Sequence, residues 1–592
     1  MKKDVGGRKK EPKEMKEPAK STKKSESAKR EAGGTQEKPD GVAKGVGKAK
    51  GEPQESKEAP QGGEEALAES KAARVESKEE TGESADQEQA PKDVWYEADK
   101  VWLMQQDGFV LATQLKPDVG TPELPAGRVR VRRDADGSIT EVDEDSVQRT
   151  NPPHLDLAED LATLLNLNEC SALNTLQHRY HSHLPYTYAG PSLVAIRPGP
   201  DAGNHAGKVS KGRRDSTAPH ICSVAQRAYR TLLAQRRDQA IVPMGRSGAG
   251  KTTSCQLALE HLVGTAGSID GRVSVEKIQA MFTVLGAFGA VSTEQNSSST
   301  RFSMILSLDF SASGRIAAAH LQTMLLERSR VAQQPPGESN FNIFPMMLAG
   351  LDVAQRTTLH LHQVAESNAF GIKPFSKPEE KQKASAAFAK LQAAMGVLGI
   401  TAEEQVAVWR VLAGIHHLGA AGACRVGRKQ FMYFEWATHA AEVLGCELEE
   451  LSTAVFKHHL KQILAQAAAR GGARPSEEEG PSGQKMTGVE CVEGMASGLY
   501  EELFAALVSM INRSFSSQHF SIASIAVVDT PGFHNPRHQG GQRAATFEEL
   551  CHNYVHERLQ GLFYERTFVS EMERYKEVSV GAWGCLGQMQ CL

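Results

Sequence analysis

Residues 1–94 contain no aromatic residue, no isoleucine, no cysteine and one leucine, Leu67. So few apolar side chains cannot offset the entropy of ordering a backbone, so residues 1–93 are expected to be a disordered Lys/Glu-rich tail. The first half of this tail is rich in Lys (KKSESAKR, KGVGKAKG) and the second in Glu (QGGEEALAES, VESKEETGES), so the signs largely cancel. The pattern fits a solvated tail, with a basic arm for nucleic acid or anionic lipid as the alternative. The N-terminus is charged and no apolar run reaches about 18 residues, which predicts neither a secretory signal nor a membrane span. The nine cysteines contain no C-x-x-C pair, which speaks against zinc or dithiol redox chemistry and for reduced intracellular thiols. No internal repeat is visible, and a net charge of -4 over 592 residues says little about partners.

What the chain does have is Gly245–Thr253 (GRSGAGKTT), preceded by the apolar Gln239–Met244 and followed by the helical pattern Ser254–Leu262. A strand, a glycine-rich turn and a helix in that order form a phosphate-binding loop. Gly245 and Gly250 permit the turn. The backbone N–H groups of Arg246, Ser247, Gly248, Ala249 and Thr253 can face phosphates, Lys251 reaches the terminal ones, and the Thr252 hydroxyl is a Mg²⁺ ligand.

Short alternating stretches at 100–103, 108–113, 127–131 and 138–142, with an Asp136-Gly137 turn, read as a small antiparallel β-barrel over residues 94–150. Helical spacing follows in 155–167 and 172–180, a strand in 193–196, and a helix from Pro219 to Leu233. A hairpin is expected from 302–310 and 315–321. A long helical region spans 322–470, a surface loop 471–487, and a helix 495–513. The buried strand 521–528 runs directly into Asp529–Phe533 (DTPGF). This alternation is that of one α/β domain with large helical insertions.

A strand ending in Asp-x-x-Gly is the second element of a phosphate-loop site. Asp529 would hold Mg²⁺ through water, and the N–H of Gly532 would sense the terminal phosphate. The form Asp-Thr-Pro-Gly also occurs in GTPases. Against that reading, Lys251 and Asp529 are 278 positions apart and the guanine-specifying Asn-Lys-x-Asp sequence is absent.

A third element, Gln295–Ser303 (QNSSSTRFS), resembles the first switch of a myosin motor domain. Asn151–Leu155 (NPPHL), Leu184–Gly190 (LPYTYAG) and Phe547–Leu559 (FEELCHNYVHERL) resemble further segments of that family in its order, over roughly residues 94–577. Arg246 in the loop, Asp529–Phe533, Lys377–Lys383 and Leu391–Met395 are similar to class XVIII, the divergent unconventional myosins. The resemblance implies a phosphate-loop motor core, a twisted central sheet flanked by helices, in residues 151–577, preceded by an SH3-like β-barrel. It also implies ATP or ADP with Mg²⁺ as ligand, actin filaments as partner, and a cytoplasmic, cytoskeletal place, with sarcomeric and nuclear sites as further expectations.

In the family the site closes with a salt bridge between a first-switch Arg and a second-switch Glu. The resemblance puts Arg301 at the first position and His534 at the second, so that bridge cannot form, and the expectation is weak hydrolysis with Arg301 beside a neutral imidazole. Ser298 replaces a family Asn, while Asn296, Ser299 and Thr300 keep their roles, Thr300 as a Mg²⁺ ligand. Arg197-Pro198 departs from the adenine-contacting pattern. The pairs His416-His417 and His458-His459 read as surface or partly packed residues rather than metal ligands. Residues 578–592 carry no charge and no resemblance, and read as a divergent terminus that omits a strand beside the loop's own; low stability is expected from this. A non-enzymatic interaction fragment is the alternative function.

Overall fold

The computed structural model describes residues 100–116, 124–196, 218–293, 296–362, 368–427, 429–457, 487–539 and 543–577. All lie within Glu88–Leu592, one of two units into which the chain divides. The tail, Arg197-Pro198, Gln295, His458-His459 and residues 578–592 lie outside the described residues.

The alternating stretches at the start form strands β1 (Lys100–Gln105), β2 (Gly108–Gln114), β3 (Arg128–Arg133), β4 (Ile139–Asp143) and β5 (Val147–Arg149), in the antiparallel order β4-β3-β2-β1-β5. Every second residue turns inward, so Val101, Leu103, Ala112 and Val131 make a separate small core. Helix α1 (Glu169–His181) is tied to this sheet where Trp102 Nε1 donates to Ser171 Oγ at 3.2 Å.

The spacing in 155–167 predicts a helix, and the structure has two 3₁₀ turns there instead, Pro153–Leu155 and Leu161–Thr163. The Asp160 carboxylate accepts from the N–H groups of Ala162 and Gly190, both at 2.9 Å. These bonds tie the segment to its neighbour and compete with an α-helical ladder.

A hairpin of β6 (Tyr186–Ala189) and β7 (Ser192–Ala195) precedes α2 (Ile221–Gln235), β8 (Gln239–Ile241), α3 (Lys251–Ala266) and α4 (Val275–Phe288). The short β9 (Ala290–Val291) and β10 (Ser299–Thr300) pair antiparallel. Then come β11 (Ser303–Phe310) and β12 (Ile316–Met324). The expected helical region begins only at α5 (Ile343–Gly350) and continues as α6 (Val353–Thr358), α7 (Pro378–Val397) and α8 (Ala402–Ala421). It is interrupted by the hairpin β13 (Cys424–Val426) and β14 (Lys429–Phe431) before α9 (Phe434–Leu444). Helix α10 (Gly488–Phe515), β15 (Ala523–Asp529), α11 (Phe547–Tyr564), a π-helical turn at Glu565–Val569 and α12 (Ser570–Glu577) complete the described part.

The central sheet has the order β12-β11-β15-β8. The β8 strand that feeds the glycine-rich loop runs parallel to β15, which ends at Asp529, so both deliver their loops to the same edge of the sheet. That juxtaposition creates the site. Among the described residues β8 pairs on one side only. One continuous core joins the sheet to the helices around it, with Leu306, Leu308, Ile525, Val527, Leu259 and Phe288 inside.

The second half of α8 is buried on all sides, and this corrects the surface reading of its histidine pair. His416 and His417 are fully buried, and His417 Nε2 lies 2.8 Å from the Leu359 carbonyl oxygen. Two adjacent helical residues point in different directions, but here both directions are filled by protein. No group of three or more His, Cys, Asp or Glu side chains that could hold a metal ion occurs among the described residues.

Candidate nucleotide-binding site

Gly250 caps α3 with φ +93°, a conformation that a side-chain-bearing residue rarely adopts. The start of α3, whose first N–H groups have no acceptor within the helix, borders a cavity of about 800 Å³. Ser247, Gly248, Gly250, Lys251, Thr252 and Thr253 line the cavity from the loop. Asn296, Ser299, Thr300 and Arg301 line it from the segment before β11, and Asp529, Gly532 and His534 from the end of β15. Gly245, Arg246 and Ala249 are not among the residues that line the cavity. The Arg246 side chain is exposed, and the carbonyl oxygens of Gly245 and Arg246 each accept from Lys251 Nζ at 3.0 Å. Burial lowers the Lys251 pKa, partly countered by Asp529.

The three segments interlock. Ser247 Oγ lies 3.1 Å from Ser299 Oγ. Asn296 closes its own turn by accepting from Ser298 N at 3.2 Å and donating to the Ser298 carbonyl at 3.0 Å. The exposed Ser298 side chain takes no part in these bonds. Gly532 packs so closely that a Cβ there would stand 2.5 Å from the Gly245 carbonyl oxygen and 2.7 Å from Ser247 N. Only glycine lets the second segment touch the loop's backbone.

Thr252 Oγ1 donates to Asp529 Oδ2 at 2.6 Å and lies 3.2 Å from Thr300 Oγ1. Asp529 is 1% exposed, and burial raises its pKa against the opposing pull of Thr252 and Lys251. Its Oδ1 is a buried acceptor without a hydrogen-bond partner among the described residues. An orphaned carboxylate oxygen beside two hydroxyls is the hard oxygen donor set that Mg²⁺ takes, so the residues present fit that ion.

His534 has a carboxylate partner that the sequence does not announce. Its Nδ1 is 2.9 Å from Glu549 Oε1, and its backbone N–H and carbonyl both bond the Asn553 side chain. Arg301 instead pairs with Glu338 at 3.1 Å and Glu327 at 3.5 Å, and the same two carboxylates hold the fully buried Arg330. Burial alone would raise the Glu549 pKa. Hydrogen bonds from Arg543, His534 and Thr546 outweigh it and hold the carboxyl well below the usual range.

Glu327, Glu338, Arg330, Arg543 and Glu549 are not singled out by sequence. The one available signal was Thr546–Glu549, a Thr-x-x-Glu capping box that opens α11, and a capping box is ordinarily an exposed local device.

A phosphate loop flanked by two switch-like segments at the edge of a sheet defines an α/β core of the phosphate-loop class. The chain belongs to the myosin head (motor domain) family, whose profile matches residues 158–583. Within that family it groups with class XVIII. It is 66% identical over 502 residues to unconventional myosin-XVIIIb of Homo sapiens, covering 84% of this chain and 20% of that one. It is 52% identical over 500 residues to unconventional myosin-XVIIIa of Mus musculus, covering 83% and 24%. Myosin type-2 heavy chain 2 of Schizosaccharomyces pombe is 30% identical over 467 residues, covering 76% and 21%. The chain thus spans about a fifth to a quarter of the length of these relatives.

Proposed function

We propose that this chain binds ATP or ADP with Mg²⁺ in the cavity above Lys251, takes part in actin-filament association as a piece of a cytoskeletal myosin, and hydrolyses ATP weakly or not at all. The observation that carries the nucleotide reading is the convergence of Thr252, Thr300 and Asp529 on one point beside Lys251. Thr252 and Thr300 would hold the ion and Asp529 would act through water. Mg²⁺, when bound, would neutralise charge on the bridging phosphate oxygens. Lys251 places a cation at the phosphate end, and the N–H groups at the start of α3 orient the chain of phosphates.

Weak hydrolysis follows from the second switch. His534 supplies no carboxylate to Arg301, which is committed to Glu327 and Glu338. Loss of one preorganised stabiliser lowers kcat by about 10²–10³. The actin reading rests on family membership.

Titration of a fluorescent ATP analogue with and without Mg²⁺, with GTP as competitor, tests binding; no Mg²⁺-dependent signal would overturn it. Single-turnover cleavage at the rate of an ordinary myosin would overturn the hydrolysis reading, and salt-independent absence from actin pellets the actin reading. A nucleotide-independent interaction fragment is the second reading. Phe547, Leu550 and Tyr554, 60–76% exposed on one face of α11, favour it. Partner capture unaffected by nucleotide would support it.

A further inference from the structure

Glu549 is the third residue of α11, where its backbone N–H meets Thr546 Oγ1 at 3.2 Å and its Oε2 accepts from Thr546 N at 2.8 Å. A residue with only that role sits in solvent, yet Glu549 is 4% exposed. Its Oε2 also accepts from Arg543 Nη1 at 2.7 Å, and its Oε1 from Arg543 Nη2 at 2.8 Å and from His534 Nδ1 at 2.9 Å. A carboxylate has about four acceptor sites, and donors from three residues, His534, Arg543 and Thr546, use them. Arg543 Nη2 stands 3.9 Å from Glu338 Oε1, and Glu338 Oε2 accepts from Arg301 Nη2 at 3.1 Å. Charges therefore alternate from Arg301 through Glu338 and Arg543 to Glu549, a hydrogen bond joins Glu549 to His534, and Arg301, Glu338, Arg543 and His534 all line the cavity.

We infer that Glu549 is a positioning residue that couples the second switch to the first through the relay Arg301–Glu338–Arg543–Glu549–His534, at the cavity end that takes the terminal phosphate. The link to phosphate rests on the nucleotide reading above; the relay itself does not. Buried charges of alternating sign are held far more firmly together than singly, because each would otherwise lie desolvated and unpaired. His534 and Glu549 then act as one unit. A carboxylate placed at 534 would stand beside the Glu549 carboxylate and repel it, so restoring the family's Glu there requires removing the charge of Glu549 as well.

Hydrogen exchange by mass spectrometry on the full chain, followed by titration with a fluorescent ATP analogue, compares wild type with Glu549→Gln, His534→Glu and the double variant. Glu549→Gln keeps the size and the Thr546 cap, so the helix start is retained. Expected is faster exchange at Ser299–Arg301 as well as at Gly532–His534; exchange altered only within 543–553 would overturn the relay. His534→Glu should weaken analogue binding about tenfold and the double variant should recover most of it, whereas single effects that multiply in the double variant would overturn the pairing. If the wild type binds no analogue while Ser299–Arg301 still responds to Glu549→Gln, the nucleotide reading fails and the relay stands. If it binds and those residues do not respond, the relay fails.

Discussion

Thr252 Oγ1 donates to Asp529 Oδ2 at 2.6 Å across 277 positions of sequence. The bond joins the start of α3 to the end of β15, and it depends on β8 and β15 lying side by side in parallel. Two half-motifs become one site at that point, and the second oxygen of Asp529 has no hydrogen-bond partner among the described residues.

Asp529→Asn should therefore separate metal-dependent from metal-independent binding. The amide keeps the size but can no longer offer two anionic oxygens, so the Mg²⁺ dependence of analogue affinity should fall by about 10–100-fold. Titration of the analogue at fixed and varied Mg²⁺ measures this, with affinity in EDTA expected to change little.

The loop and the Asp-x-x-Gly turn are legible in the sequence because each is a local pattern whose backbone geometry goes with its residues, whereas Arg301 is reached only through the family resemblance of Gln295–Ser303. Strands β11 and β15 are legible too, from alternation and length. The environment of His534 is not legible. Its partner, Glu549, is fifteen positions on and carries the mark of a helix start, and its burial is created by Arg543 and by the packing of α11. The same limit explains His416 and His417, since periodicity gives a helix's faces but not whether a second layer covers the outer one.

Gly532→Ala should disrupt the contact between the second switch and the loop. The added Cβ would meet backbone atoms at 2.5–2.7 Å, and backbone cannot rotate away as a side chain can. The expected loss is about 1–3 kcal/mol of stability, read from the denaturant midpoint, together with weaker analogue binding. Equal stability and unchanged affinity would show that the segments do not need to touch.

Tyr500→Phe tests the seam between α10 and the end of α4. The fully buried hydroxyl donates to the Phe288 carbonyl oxygen at 2.6 Å, and the ring stacks on Phe341 at 4.7 Å between centroids. Phenylalanine keeps the stacking and removes one donor, leaving a buried carbonyl unpaired at a cost of about 1–3 kcal/mol. Because the following residue, Gly289, accepts from Arg301 N at 2.8 Å, faster exchange of the Arg301 amide is expected alongside the lower midpoint.

Acid should destabilise the fold through buried imidazoles before it titrates most carboxylates. Burial lowers the pKa of His416 to about 4, of His417 to about 3 and of His552 to about 4, with the guanidinium of Arg301 adding to the effect at His552. In the unfolded chain each would titrate near 6.5, so between pH 6.5 and about 4 the unfolded state binds more protons than the native one. Stability carried by these neutral rings is thus fully present above pH 6.5 and is lost as pH falls toward 4, by up to about 1.4 kcal/mol per pH unit for each ring. Glu549 acts in the same direction at lower pH: its depressed pKa stabilises the fold above the usual carboxylate range and ceases to do so as pH falls below it. Denaturant midpoints should hold from pH 7.5 to about pH 6.5 and then fall steadily to pH 4.5, and His416→Leu should flatten the slope while raising the midpoint at pH 5, since it removes a buried ring whose two nitrogens have no hydrogen-bond partner among the described residues. A midpoint independent of pH across that window would show that the rings protonate in the native state without cost.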